Sequence, residues 1–219
     1  MLINLIERFK IIMPCGILEL GVPVMVPLKL NHTNFTIDQH GWIQFDAELN
    51  NILIEDLDKF DIVDVNLKIL QFQLDFNLFF HSIKTTGEYK AHGKAFGLIP
   101  FNRSGSFTFN LIGLHLDGTI KIGMNSDQVM INDFKIRLTV DLVESKFEEV
   151  FLFPLNTLIF NKIIEGLVPK LLKDYQQQVS QHLENFIKPQ VNEILRGYTV
   201  QELGSLVENS SILLTSCSR

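Results

Sequence analysis

The chain has 219 residues, of which 46% are hydrophobic and 20% charged, and its net charge is −6. That is enough to bury a sizeable core and too apolar for a disordered chain. No basic cluster is present, which argues against nucleic acid as a partner and against a general attraction to anionic membrane. No apolar run is long enough for a transmembrane helix.

The N-terminal stretch MLINLIERFKIIMPCG is not a signal peptide, because Glu7, Arg8 and Lys10 interrupt what would have to be an apolar core. From about residue 31 to residue 149 a period of two dominates. Ile43, Phe45, Ala47 and Leu49 alternate with Gln44, Asp46 and Glu48. Ile52 and Ile54 follow, then Phe60 and Ile62, then Val65, Leu67 and Ile69. In residues 70–80, LQFQLDFNLFF, the set Leu70, Phe72, Leu74, Phe76, Leu78 and Phe80 shares one strand face, and Gln71, Gln73, Asp75 and Asn77 share the other. The apolar parity flips between Ile69 and Leu70, a slip that a β-bulge or strand bend would absorb. Further on, Phe107, Phe109 and Leu111 alternate with polar partners, as do Ile120 and Ile122. Phe134, Ile136, Leu138, Val140 and Leu142 do the same. Turns are expected at NRSGS, at Asp117-Gly118 and at NSDQ. Long strands joined by short turns predict an antiparallel sheet.

After Pro154 the period changes. Leu155, Ile159, Ile163, Leu167, Leu171, Tyr175, Val179, Leu183, Ile187 and Val191 step by four, with Leu158 beside them, which predicts one long amphipathic helix. Gly166 and Pro169 are expected to kink it near its start, and Gly197 to stop it. A stripe that long needs a sheet rolled around it. The sequence therefore predicts an α+β fold: a strongly curved antiparallel sheet wrapped around the C-terminal helix. Phe72, Phe76, Phe107, Phe109, Phe134 and Leu138 should point inward, and Gln71, Gln73, Lys135 and Arg137 outward.

Several segments resemble the insect takeout and juvenile-hormone-binding protein family. GILELGVPVMVPLKL, residues 16–30, is similar to the family's opening motif at Gly16, Ile17, Glu19, Leu20, Gly21, Pro23, Pro27 and Leu28, while Leu18 and Val26 replace its Pro and Asp. LNNILIEDLDKFDIVDVNLKI looks like its Asn-x-x-Ile-x-Gly-Leu segment, with Asp56 where Gly is usual. GEYKAHGKAFGLIPFNRSGSF looks like its Gly-x-Tyr-x-x-x-Gly strand, and LFPLNTLIFNKIIEGLVPKLL like the start of its last helix. The resemblance implies a tubular lipid-binding domain over residues 1–203, with a tail over 204–219, and an apolar tunnel for juvenile hormone, another terpenoid or a fatty acid. Ligand contacts are expected from Leu70, Phe72, Leu74, Phe76, Leu78, Phe107, Phe109, Phe134, Ile136, Leu138, Leu171 and Tyr175, with one mouth of the tunnel near residues 16–30. The resemblance also implies secretion. The family's signal peptide and N-terminal cysteine pair do not precede Gly16, so an N-terminally incomplete chain is expected.

Four N-glycosylation sequons, at Asn31, Asn34, Asn102 and Asn209, point the same way. Cys15 and Cys217 lie at opposite ends with no metal spacing, which leaves a bridge between them open; Cys15 reads as a small buried side chain. No Gly-x-Ser-x-Gly elbow, phosphate loop or His-Glu-x-x-His is present, so no enzyme, metal or cofactor is expected. The acidic EDLDKFD lacks the Gly and closing Glu of a calcium loop and reads as a solvated turn. The expected partner is a small hydrophobic ligand, with no nucleic acid and no stable membrane insertion; the sequence names no receptor. The alternative is an interaction protein with a closed apolar core that acts through its surface.

Overall fold

The period-two segments become six antiparallel strands, and the later stripe becomes two helices. The computed structural model describes residues 2–16, 22–39, 43–95, 99–125, 128–148, 154–199 and 201–202. In chain order the elements are α1 (Leu2–Ile12), β1 (Leu28–Gln39), β2 (Ile43–Glu55), β3 (Phe60–Lys68), β4 (Gln73–Ala95), β5 (Ile99–Asn125), β6 (Gln128–Phe147), α2 (Pro154–Asp174) and α3 (Gln176–Leu195). The sheet order is β1-β2-β4-β5-β6, and β3 also pairs with β4. β2 and β3 lie end to end along β4: Ile43 faces Ala95, Glu55 faces Lys84, Phe60 faces Phe80 and Lys68 faces Gln73.

One face of the sheet stays apolar because the strands slip together. On β4 the inward set is Leu74, Phe76, Leu78 and Phe80, and then Ile83, Tyr89 and Ala91. On β5 it is Phe107, Phe109 and Leu111, and then Leu114, Leu116 and Ile120. On β6, Val143 and Val140 both face the core, and among the described residues Val143 is the most deeply buried side chain at 1% exposure. Parity thus shifts by one at the same row of three neighbouring strands, near His81, Gly113 and Asp141. Gly113 takes φ +65°, and a Cβ there would come within 2.9 Å of the Asp141 side chain at three atoms. Glycine is needed for both reasons. A side chain at Gly87 would likewise meet the Phe107 ring at 2.8 Å, so the bare backbone lets that ring lie across it.

The expected strongly curved sheet, wrapped around a helix and enclosing a tunnel, is overturned. The sheet is open and not strongly curved, with β1 and β6 as its two ends. The physical reason lies on the outer edge of β6, where helix side chains take the backbone groups that a closing strand would need. Asn161 Oδ1 accepts from the Phe147 amide at 3.0 Å, and Glu165 Oε1 accepts from the Ser145 amide at 3.1 Å. Ser180 Oγ accepts from the Ile136 amide at 3.2 Å, and Lys188 Nζ donates to the Asn132 carbonyl at 2.6 Å. Helices α2 and α3 therefore run along an edge and cover it, one of the ways a sheet avoids an open edge.

Other expectations change as well. The slip between Ile69 and Leu70 is no bulge within a strand. A 3-10 turn at Ile69–Gln71, followed by Phe72 in the left-handed region (φ 48°, ψ 42°), reverses the chain between β3 and β4. Leu70 is consequently 97% exposed and Phe72 50% exposed, so Phe72 does not point inward as expected. NRSGS and Asp117-Gly118 are not turns, since β5 runs through both as one strand of 27 residues. In NSDQ, Asn125 pairs with Gln128, while residues 126–127 lie outside the described residues. The helix divides at Tyr175 (φ −111°, ψ 27°), with Gly166 and Pro169 inside α2. Gly197, with φ +93°, follows the end of α3 as expected. Helix α1 was not expected at all. Met13 behind it is buried, and Lys10 Nζ donates to the Phe60 carbonyl at 2.6 Å while lying 4.7 Å from the centre of that ring. Cys15, read as a small buried side chain, is disulfide-bonded.

Candidate functional site

The apolar face is divided among three clusters, each completed by a helix or an N-terminal segment of the same chain. In the first, Ala47, Tyr89, Ala91 and Phe107 are buried under Phe160 and Ile163 of α2, with Phe109 and Phe147 beside them. The Phe107 and Phe147 rings stack at 5.7 Å, and Phe160 meets Phe147 edge-on at 5.7 Å. The Tyr89 hydroxyl donates to the Glu148 carbonyl at 2.5 Å, which satisfies the one polar tip in that cluster. In the second, Met13 packs on Phe60, Phe80, Ile83 and Leu114, with Leu78 and Leu138 at its margin. In the third, Ile131, Phe134 and Ile136 meet Leu183, Ile187, Val191 and Leu195 of α3, and Phe76 joins them from β4.

The expected ligand contacts therefore do not form one group. Phe107, Phe134 and Ile136 are buried; Leu74, Phe76, Leu78, Phe109, Leu138 and Leu171 are half-buried. Leu70, Phe72 and Tyr175 are exposed. Of the expected outward set, Gln71, Lys135 and Arg137 are exposed and Gln73 is half-buried. Asn31, Asn34 and Asn102 are exposed on strands, and Asn209 lies outside the described residues. Ile17 to Leu20 of the expected tunnel mouth also lie outside them. Sequence reasoning missed Tyr89, Val143 and Asn161. Val143 breaks the parity that begins at Phe134 and so carried a local signal; Asn161, with Thr157, Lys162 and Glu165 around it on the helix, carried none.

An open groove of about 650 Å³ lies over β1, β2, β4 and β5, lined by Asn34, Thr36, Asp46, Glu48, Lys90, His92 and Asn102, with Ala47 and Ala91 at its floor. Thr36 Oγ1 donates to Asp46 Oδ1 at 2.6 Å, and His92 Nε2 stands 3.4 Å from Asp46 Oδ2. Seven of its nine lining residues carry polar or charged side chains. Along the helix-covered edge, the Lys162 ammonium at 2.6 Å, aided by the Ser145 amide, holds the Glu165 carboxyl below its ordinary value. Among the described residues no group of three His, Cys, Asp or Glu could hold a metal ion. Among them, too, no helix is long and apolar enough to cross a membrane.

The family model described as haemolymph juvenile hormone binding protein (JHBP) matches residues 1–204. The chain belongs to this family. Like its other members it is a binding protein and not an enzyme. The chain is similar to the crystal structure of Epiphyas postvittana Takeout 1, with a TM-score of 0.71 and 16% identity over 91% of this chain and 92% of that one. At that identity the likeness is one of fold. A lipopolysaccharide binding protein structure reaches a TM-score of only 0.35, at 16% identity over 86% of this chain and 37% of that one, and supports no argument. A comparison with curated proteins finds no match. The juvenile-hormone-binding family is one of extracellular carriers of small hydrophobic molecules.

Proposed function

We propose that the chain is a secreted, non-catalytic binding protein that acts through its surface, over an apolar core closed by its own side chains. One observation carries this reading. Each of the three clusters is filled from within the chain, by Phe160 and Ile163, by Met13, and by Leu183, Ile187 and Val191. The family match over residues 1–204 supports treating that stretch as one binding domain. Exposure of Asn31, Asn34 and Asn102 supports a glycoprotein. The family relation supports a small hydrophobic molecule as one of the things bound.

Native protein purified from a eukaryotic secretory host separates the two kinds of partner. Its organic extract is analysed by mass spectrometry, and a fluorescent fatty acid is titrated against it. Surface action with no enclosed ligand predicts an empty extract and a probe that dilution removes rapidly. A stoichiometric lipid that survives gel filtration would overturn the closed core.

A further inference from the structure

The turn between β3 and β4 presents its largest apolar side chains to water. Leu70 is 97% exposed, Ile69 71% and Phe72 50%, and Leu67 on the adjoining strand is also exposed. None of these four side chains belongs to a core cluster, so packing does not account for them. We propose that this tip docks on a zwitterionic phospholipid surface, with Leu70 at its point.

Three features of the tip favour lipid over a protein partner. The first is size: the exposed side chains offer on the order of 400 Å², against roughly 800 Å² per partner in a stable protein–protein interface. A narrow apolar point is a poor protein epitope, whereas in a bilayer each inserted side chain is surrounded by hydrocarbon on its own account. The second is the backbone. The Phe72 amide donates to the Ile69 carbonyl at 3.1 Å, and the Ile122 amide donates to the Phe72 carbonyl at 2.8 Å. Polar groups tied in this way lower the cost of entering a layer without water. The third is charge. Lys68, next to the turn, is paired with Asp75 at 2.6 Å, Lys121 stands exposed opposite Gln73, and Gln71 and Gln73 supply a neutral polar collar. With a net charge of −6, the chain has no Coulombic attraction to anionic lipid, which is why the surface is zwitterionic.

The inference names one surface within the reading above. Its test reads contact with lipid whatever small molecule is bound, so the two can fail separately. The full chain is floated with phosphatidylcholine vesicles, alongside Leu70→Asp, Leu70→Ser/Phe72→Ser and Phe186→Ser, which changes an exposed ring on α3. Leu70 touches almost nothing, so its variants should fold, which unchanged circular dichroism checks. Wild type and Phe186→Ser should float with the vesicles, and both tip variants should lose at least tenfold of the bound fraction. In Leu70→Trp, added emission should shift to the blue on vesicles and be quenched by brominated acyl chains. No flotation of the wild type, equal flotation of Leu70→Asp, or equal loss in Phe186→Ser would overturn the proposal.

Discussion

Asn192 pairs with Ile131 as a neighbouring strand would. Its Oδ1 accepts from the Ile131 amide at 2.7 Å, and its Nδ2 donates to the Ile131 carbonyl at 3.1 Å. A helix side chain thus reproduces both hydrogen bonds of a strand pair. Because Asn carries a donor and an acceptor on one planar group, no other short side chain does this.

Asn192→Ala should destabilise the protein by about 1–3 kcal/mol, since both Ile131 backbone groups lose their partner at once. Asn192→Asp keeps the acceptor and loses the donor, so it should fall between alanine and wild type at neutral pH. Urea unfolding gives the energies. Hydrogen exchange should show the Ile131 amide losing protection in Asn192→Ala while the Leu114 amide keeps its own.

Gly113→Ala should cost about 1–3 kcal/mol, because alanine pays strain at φ +65°. Adding Asp141→Ala should recover only part of the loss, since the Asp141 Cβ itself would stand 2.9 Å from the new methyl. Thermal unfolding of the two variants decides it; full recovery would mean that crowding, not backbone strain, sets the cost.

Phe107→Ala should cost about 3–5 kcal/mol, as a buried ring removed from a packed cluster does. Leu70→Ser at the tip, 97% exposed, should change stability by less than about 0.5 kcal/mol. The two residues read alike in the sequence, and denaturant midpoints should separate them.

Acid sensitivity should come partly from Asp75. Hydrogen bonds from Lys68, then Gln73 and Thr119, lower its pKa from 3.8 to about 2. A carboxyl depressed in the folded state contributes stability above its unfolded pKa and loses it as pH falls through the folded one. Its contribution should therefore be full at neutral pH and disappear between about pH 4 and pH 2. Asp75→Asn should flatten the dependence of stability on pH in that window and leave the slope above pH 5 unchanged.

Produced in a eukaryotic secretory host, the protein should lose mass on enzymatic deglycosylation. Asn34→Gln and Asn102→Gln should each remove one step of that shift. A single unshifted species would count against the secretory reading of the sequons.

The sheet was legible because alternation is local: a buried face leaves its mark every second residue, and Phe134, Ile136 and Leu138 carried it without ambiguity. Strand ends were less legible, because glycine has two meanings. Gly118 was read as a turn, yet it lies in mid-strand, where a Cβ would meet the Phe76 ring at 2.8 Å. Leu70 and Phe72 continue the phase of Phe76, and only the left-handed backbone at Phe72 takes them out of the face. Alternation cannot report a reversal that preserves its own phase. The helix stripe was also visible, but which sheet surface it covers depends on partners such as Asn161 and Asn192, whose amides look ordinary in one dimension.

The matched slip near Gly113 restricts how this chain can change in length. A residue inserted in β5 directly after Gly113 would turn Leu114, Leu116 and Ile120 toward solvent, unless β4 and β6 gained one at the same row. Three coincident insertions are far rarer than one. Relatives should therefore vary in length at hairpin tips such as Ile69–Gln71 and keep the spacing from Phe107 to Ile120 fixed, and grafted tags or loops will be accepted at the first place and refused at the second.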